Sequence, residues 1–566
     1  MGITAAQVQA KRSETIAAGA FFEIEDYELD GETYSIYKHA PTSVIDVLQN
    51  ARNHGDIEFV VYEGERYTYR QFFEAVDAFA ACLQDDYGVK KGDRIAIAMR
   101  NNPAWLISYA AGTLIGAVMV PINSWGKTEE LQYAIDDSGS RLLICDPGRY
   151  RLVEGGDCAA QIILAGSDEA AELPGDVVRL EVLLENGRGR EFVVANAEPE
   201  DDCIILYTSG STGFPKGVVH RHIAMTQSLF NMMWLGYLVM ELEGPREFRG
   251  GADRETPLLT VPLFHATGLL GGFYLPLSTG QKVVMMYKWD SRTALELIQN
   301  EKVTGLASVP AIIQDLLSQD IFDDYDTGSL IRVSAAGAAT PAGLPELIQE
   351  KTGDPSRSAG YGMTETVAVA STMSGCIFDL KPDASGIVSP IMQMRSVDPD
   401  QNVLELGQPS EIQLRSICVT AGYWQKPEAN AEAFVAGHWL KTGDVGMVDD
   451  EGFVHITGRI KEIVIRGGEN IYPGEIEHAA YEMDAVHEVV VFGVPDDAMG
   501  EEMVMVAYRR PGEALEEDAL RSFLQQRLAS YKVPKTIVFS EQPLPRNASE
   551  KLYKLKVKEQ YLASLA

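Results

Sequence analysis

The chain has 566 residues, 46% hydrophobic and 23% charged, and its 48 Lys and Arg face 82 Asp and Glu for a formal net charge of −34. That length exceeds one core and implies about two to four domains or subdomains, while so acidic a surface argues against nucleic acid and anionic membrane as main partners. Six scattered cysteines (82, 145, 158, 203, 376 and 418) without a C-x-x-C pair argue against a disulfide scaffold or zinc site, and with no signal-peptide core at the N-terminus the expected location is cytoplasmic.

Residues 1–40 are polar and mixed, and read as an N-terminal arm packed on the body. Thr42 or Ser43 precedes an apolar-periodic run and opens a capped helix. Residues 67–73 lead into a second helix ending near Val89, and 93–98 read as a short buried strand. From 101 to 126 there is no charge, but Gly112, Gly116 and Pro121 interrupt the run, so a buried helix and a buried strand fit better than a membrane span. Strands at 142–145 and 162–164 continue a β/α alternation, which predicts βαβ units and a largely parallel sheet. The apolar run 203–206 reads as a buried strand opening into the polar cluster 207–217. Residues 225–240 predict a helix packed in the core, or one bordering an apolar pocket. A charged loop follows at 241–256, and strands at 258–261, 282–286, 305–309 and 331–334 complete two similar α/β halves. Turns multiply from 381 to 456 and predict a β-rich subdomain. Past Arg459, strands at 462–465, 489–492 and 503–508 alternate with helices at 475–483 and 516–528, which suits a compact α+β domain. The expected fold class is α/β: a large N-terminal domain (41–459) of two α/β subdomains plus the β-rich one, followed by a small mobile α+β C-terminal domain (460–566).

The cluster at 207–217 reads YTSGSTGFPKG. Its glycines let backbone N–H groups converge on an anion, its hydroxyls add donors and Lys216 adds a mobile positive charge, as a nucleotide-phosphate loop requires. The alternative is a polar surface turn. A P-loop is excluded, because Pro215 and Gly217 stand where that motif needs Gly and Ser or Thr. His265 follows a strand at the edge of an aromatic loop. In Tyr361, Gly362, Met363, Thr364 and Glu365 a ring can stack on a base, a hydroxyl can meet phosphate and a carboxylate can hold Mg2+. Asp444, after a Gly turn, suits both hydroxyls of a ribose. Arg459 and Lys461 place two cations at the predicted domain junction, and Lys551 closes LPRNASEK. Taken singly, each reads equally as an ordinary turn, linker or basic helix face.

Their order and spacing decide otherwise. YTSGSTGFPKG, PLFH, YGMTE, WLKTGD, GRIKE, GGENIYPGEIE and RNASEK, all in sequence, resemble the adenylate-forming superfamily of acyl-CoA synthetases, luciferases and peptide-synthetase adenylation domains, over about residues 40–560. The resemblance implies an ATP-dependent carboxylic acid–CoA ligase that makes acyl-AMP and pyrophosphate, then acyl-CoA and AMP, using ATP, Mg2+ and CoA. It implies that Thr208, Ser209, Gly210, Ser211, Thr212, Gly213 and Lys216 hold the β- and γ-phosphates. Gly337, Ala338 and Tyr361, with Gly362 and Met363, would border the adenine. Thr364 and Glu365 would meet the α-phosphate and Mg2+, with Thr208 also on the metal side. Asp444 would bind the ribose, and Arg459 the ribose or phosphates. Lys551 would neutralise charge on the substrate carboxylate and α-phosphate, and His265 would stand near the acyl group and the thiol path. Lys461 matches a hinge about which the small domain turns, bringing Arg466, Gly467, Gly468 and Glu469 to the CoA side. Glu550 stands where the family has Gly, SAAGAA at 334–339 replaces a Gly-Gly adenine loop, and the segment before Gly422-Tyr-Trp424 varies.

The stretches 225–238, 264–273, 309–310 and 360–363 are expected to line the acid pocket. They are apolar and carry no obvious cation, which points to a fatty acid of medium or long chain, with an aryl acid as the alternative. Ala266, Gly268, Gly271 and Gly272 are expected to make room for it. A carrier-protein-loading enzyme and a catalytically impaired binding protein are further alternatives, and a homodimer is left open.

Overall fold

Short Val/Ile/Leu runs with no polar alternation can be buried on both faces only inside a helix-covered parallel sheet, and two such sheets form the body. The computed structural model describes residues 3–565 except 156–157, 167–172, 176, 209–214, 246, 336–342, 354–356, 468, 497–498, 511 and 547–550. One sheet has eight strands in the order Gly422–Tyr423, Gly217–Arg221, Asp202–Tyr207, Val118–Pro121, Arg94–Ala98, Leu142–Cys145, Gln161–Leu164 and Val178–Arg179. It is parallel outward from Asp202–Tyr207 and antiparallel at the Gly217 edge.

The second sheet has six strands: Arg332–Ala335, Gly305–Ser308, Pro257–Leu259, Val283–Met285, Glu58–Tyr62 and Glu65–Thr68. The two α/β halves are therefore not consecutive in the chain. The early hairpin 58–68 completes the late sheet, and Gly422–Tyr423 returns to the early one. The helix Pro103–Leu114 has every residue but Ala104 buried and packs against Tyr69–Asp85 and Val44–Ala51, so the uncharged stretch is core. Ser43 caps Val44–Ala51 through a reciprocal bond with Asp46. Tyr69–Asp85 stops short of Val89, because the chain turns through Gly88 at φ +60°.

The long helix His222–Glu243 starts three residues earlier than periodicity predicts and is buried along most of its first half. The N-terminal arm, a helix Ala5–Thr15 and a hairpin Ile24–Leu29/Glu32–Tyr37, is fastened to it. Trp234 Nε1 donates to Thr15 Oγ1 (3.0 Å), the Tyr37 hydroxyl to Asn231 (2.9 Å) and the Tyr37 amide to Gln227 (2.7 Å).

A five-stranded sheet of Gln393–Val397, Ser410–Arg415, Trp439–Val448, Phe434–Val435 and Val454–Arg459 forms the β-rich part. The C-terminal part is another five-stranded sheet, Glu469–Ile471, Val464–Arg466, Gly500–Arg509, Val486–Asp496 and Thr536–Ser540, with helices Pro473–Tyr481 and Glu517–Gln525 in its core. The strand expected at 462–465 is split: Ile460–Glu462 is a 3-10 turn and pairing begins at Val464. Among the described residues no helix is long and apolar enough to cross a membrane.

Candidate active site

The cluster 207–217 joins two antiparallel neighbours. Tyr207 pairs with Gly217, and the Thr208 amide donates to the Lys216 carbonyl at 3.0 Å, so Thr208 and Lys216 close the foot of the loop. Ser209, Gly210, Ser211, Thr212 and Gly213 lie outside the described residues. Because a strand, not a helix, follows the loop, any anion there is held without a helix N-terminus. The foot is anchored from behind by Asp137, which accepts from Tyr207 Oη (2.8 Å) and pairs with Lys426 (2.6 Å).

Glu365 lies in the short turn Thr364–Thr366 and is 7% exposed. Burial pushes its carboxyl up, opposed by the Tyr423 hydroxyl, which donates to Oε1 at 2.9 Å, and by the charges of Lys216 and Arg459. The turn is fixed from both ends. His220 Nε2 bonds the Thr364 carbonyl at 2.7 Å, and since a carbonyl only accepts, this nitrogen carries the proton. The Thr420 amide donates to the Glu365 carbonyl at 2.7 Å.

Asp444 is buried and accepts two bonds, from the Tyr361 hydroxyl (2.7 Å) and from Arg459 Nε (3.0 Å). The Asp444–Arg459 contact spans a register pair of adjacent strands. Burial raises the Asp444 carboxyl, and Arg459 opposes that first. Tyr361 thus stands with its hydroxyl on the candidate ribose carboxylate. Gly362 is closed by the Ala368 carbonyl, which a Cβ there would meet at 1.9 Å, and Met363 and Thr364 continue the same turn. Gly337 and Ala338 lie outside the described residues.

His265 caps the helical stretch 266–279, and its Nε2 is buried without a partner among the described residues. Burial, and then the charge of Lys551, bring its pKa down to about 4. Lys551 is itself held below its ordinary value, by desolvation first and the Arg459 charge second, although its surface remains open to solvent. The small C-terminal part therefore presents Lys551 to His265 and Arg459. Its neighbours on both sides are tied down: Arg546 bridges to Leu552 and pairs with Glu488 (2.5 Å), and Lys554 pairs with Glu462 (2.8 Å) and Glu477 (3.0 Å). Glu550 lies outside the described residues.

The candidate CoA residues are tied into the small part. Arg466 is tied to Glu502 at 2.7 Å and the Gly467 amide donates to the Met499 carbonyl at 2.8 Å, so both are held within the small sheet, with Glu469 exposed. Gly468 lies outside the described residues. Lys461 is exposed in the 3-10 turn between the two parts and forms no ion pair among the described residues.

The small residues expected to make room for an acid do something else. A Cβ on Gly268 would stand 2.1 Å from the Pro262 carbonyl oxygen, and one on Gly272 would stand 2.3 Å from Leu259 Cδ1. Their smallness lets the helix pack on its own strand, and Ala266 is buried in the core. Gly271 alone of the three glycines faces the tip of a flexible side chain from another helix: a Cβ there would stand 3.2 Å from Met232 Cε. Thr267, Gly271 and Leu275 form the least covered stripe of this stretch, at the i, i+4, i+8 spacing of one helical face. Met225, Leu229, Trp234 and Leu238, placed in the pocket lining by sequence, are core residues at 2% exposure or less.

Two supports carry little sequence signal. Tyr423, in the Gly-Tyr-Trp segment, contacts both Glu365 and Lys216, and His220 looks like any strand residue until the turn of Thr364 is folded against it. Among the described residues no cluster of three metal-ligating side chains occurs. A lone buried carboxylate beside a candidate phosphate loop is nevertheless the donor set expected for Mg2+ that arrives on nucleotide phosphates.

The family described as AMP-binding enzymes matches residues 47–424, and the AMP-binding enzyme C-terminal domain matches residues 475–551. A feruloyl-CoA synthase of Amycolatopsis is 31% identical over 526 residues, 91% of this chain and 98% of its own. A mitochondrial medium-chain acyl-CoA ligase of Bos taurus is 29% identical, over 88% of this chain and 84% of its own. Among solved structures, an anthranilate CoA ligase in complex with anthranoyl-AMP aligns with a TM-score of 0.81 at 25% identity, over 93% of this chain and 98% of its own.

Proposed function

The chain belongs to the AMP-binding enzyme family, among the AMP-forming CoA ligases, and from that premise we propose that it activates a compact hydrophobic carboxylic acid, an aryl or medium-chain acid, for transfer to CoA. A carboxylate is a poor electrophile toward a thiol, so it is first joined to AMP and pyrophosphate leaves. When bound with ATP, Mg2+ supplies charge neutralisation to the phosphates, and Glu365 and Thr208 are the side chains that would hold it. Thr208 and Lys216 would grip the departing phosphates, Asp444 and Arg459 the ribose, and Tyr361 with Met363 the base. Lys551 would stand over the reacting oxygens, where its positive charge offsets the negative charge that builds up between carboxylate and α-phosphate.

The observation that carries the reading is electrostatic: the charge of Lys551, from one end of the chain, lowers the pKa of His265, and the charge of Arg459 lowers that of Lys551. A charge pushed into so cationic a place is stabilised by an anionic occupant. The size of the acid is argued from Met232 against Gly271. Gly271 lies six positions beyond His265, about 9 Å at helical rise, which fits a phenylpropenoid or a chain of medium length and is short for a long one. Of the medium- or long-chain fatty acid expected from the apolar stretches, the long-chain part is less well supported on that ground. Loading of a carrier protein stays a second reading, because the exposed Glu469 beside Arg466 would admit either thiol.

Pyrophosphate release across acids graded in length and aromaticity tests this, with CoA and then with a phosphopantetheinyl protein as acceptor. Release with aryl or medium-chain acids and thioester formation on free CoA are expected. A Lys551→Ala enzyme should lose release by about a thousandfold, the scale of one preorganised charge at a reacting centre, yet still make thioester from supplied acyl-AMP. Equal loss of both steps would refute the role given to Lys551.

A further inference from the structure

Lys216 and Glu365 carry opposite charges in one site, close enough for the lysine to act on the carboxyl, yet among the described residues no ion pair joins them. Tyr423 lies between. The Lys216 ammonium sits 4.7 Å from the centre of the Tyr423 ring, and the hydroxyl of the same side chain donates to Glu365 at 2.9 Å. A ring face attracts a cation without neutralising it, and a phenol donates to a carboxylate without carrying charge. Each partner is held while its charge stays available to a third group.

The backbone of Tyr423 is fixed well enough for this. Its amide donates to Asn430 Oδ1 (2.6 Å) and its carbonyl accepts from Asn430 Nδ2 (3.2 Å). It pairs with Val218 on the strand that leaves the phosphate loop, and the Trp424 amide donates to the Gly217 carbonyl at 2.7 Å. The segment 422–424 is thereby bound to the residue after Lys216, while Thr420, just before it, holds the Glu365 carbonyl.

We propose that Tyr423 is a positioning residue that keeps Lys216 and Glu365 apart, turning the ammonium toward phosphate and the carboxylate toward the cation carried by the nucleotide. Without the ring, the two would meet directly, and a lysine–carboxylate contact in a half-buried site satisfies both charges at the expense of the ligand. The proposal rests on the ligase reading for its purpose, and on the Lys216–Tyr423–Glu365 geometry alone for its physical content.

Two variants of the full chain test it. In Tyr423→Leu without nucleotide, pairing with Glu365 should withdraw the Lys216 amine, slowing its acetylation by acetic anhydride about tenfold by peptide mass. Adding Glu365→Gln should restore the rate. Tyr423→Phe keeps the ring, so Lys216 should label at the wild-type rate. Calorimetry should nevertheless show Mg-ATP binding weakened about tenfold, the worth of a hydrogen bond to a charged group. Unchanged Lys216 labelling in Tyr423→Leu overturns the proposal, as does wild-type Mg-ATP affinity in Tyr423→Phe. Wild-type protein that binds no nucleotide refutes the ligase reading instead, and the labelling comparison then decides the role of Tyr423 by itself.

Discussion

Glu365, Asp444 and Lys551 are all titratable groups taken partly out of water; a tyrosine hydroxyl and two cations oppose the effect of burial at Glu365 and a guanidinium opposes it at Asp444, whereas the like charge of Arg459 adds to it at Lys551. The carboxylates and lysines are visible in the sequence because charge after a glycine turn is conspicuous. Their partners are not, since Tyr423 and His220 are ordinary residues until folding supplies the contact. His220 shows the cost of such support. It is fully buried, with a pKa near 4 against an ordinary value of 6.5, because burial disfavours its charged form. Between those values the unfolded chain binds a proton that the folded chain refuses, so this residue makes stability fall as pH drops from about 6.5 toward 4, by up to about 1.4 kcal/mol per pH unit. His220→Gln should flatten the pH dependence of the urea midpoint in that window relative to wild type. Parallel slopes for the two proteins would show that His220 does not stay neutral.

The stretch 266–279 concentrates the question of substrate. It begins at His265, widens into a π turn at Leu270–Tyr274 and continues as helix Leu275–Thr279. Such a turn inserts an extra residue into the helical repeat and re-aims the side chains beyond it, which is why it recurs at functional sites. Here it holds Gly271 opposite Met232 while Gly268 and Gly272 are spent on packing. Sequence periodicity distinguishes none of these roles, because glycine leaves no apolar signature to follow. Met232→Ala should open the far end of this space and raise kcat/KM for acids one or two methylenes longer than the wild-type optimum by about tenfold, whereas Gly271→Leu should depress all but the smallest acids. Unchanged chain-length preference in both variants would move the acid pocket elsewhere.

At the scale of the whole molecule, the chain crosses between its two matched regions through Arg459 and the 3-10 turn Ile460–Glu462. In this arrangement the small part offers Lys551 to the site and keeps Arg466 paired with Glu502. Both groups belong to the small part, so bringing the Arg466 side inward as Lys551 leaves would take a rotation about the turn. Lys461→Pro should stiffen that turn at its one exposed lysine, leaving pyrophosphate release without CoA within about twofold of wild type while slowing overall acyl-CoA formation about a hundredfold. Normal overall turnover would place the pivot at another residue.

The amino-acid order by itself determined the α/β class, the capped helix at 44–51, the buried helix at 103–114, the exclusion of a P-loop and the set of motifs that places the chain among adenylate-forming enzymes. These are local or serial properties: periodicity, turn chemistry and short motifs survive in one dimension. Only the tertiary structure decided that strands 58–68 complete the later sheet, that Gly268 and Gly272 serve packing and that Tyr423 stands between Lys216 and Glu365. It likewise brought Lys551 to His265 across nearly 300 residues of chain. Pairing of distant strands and insulation of one charge from another are set by which surfaces meet, and that information is written in no single stretch of the sequence.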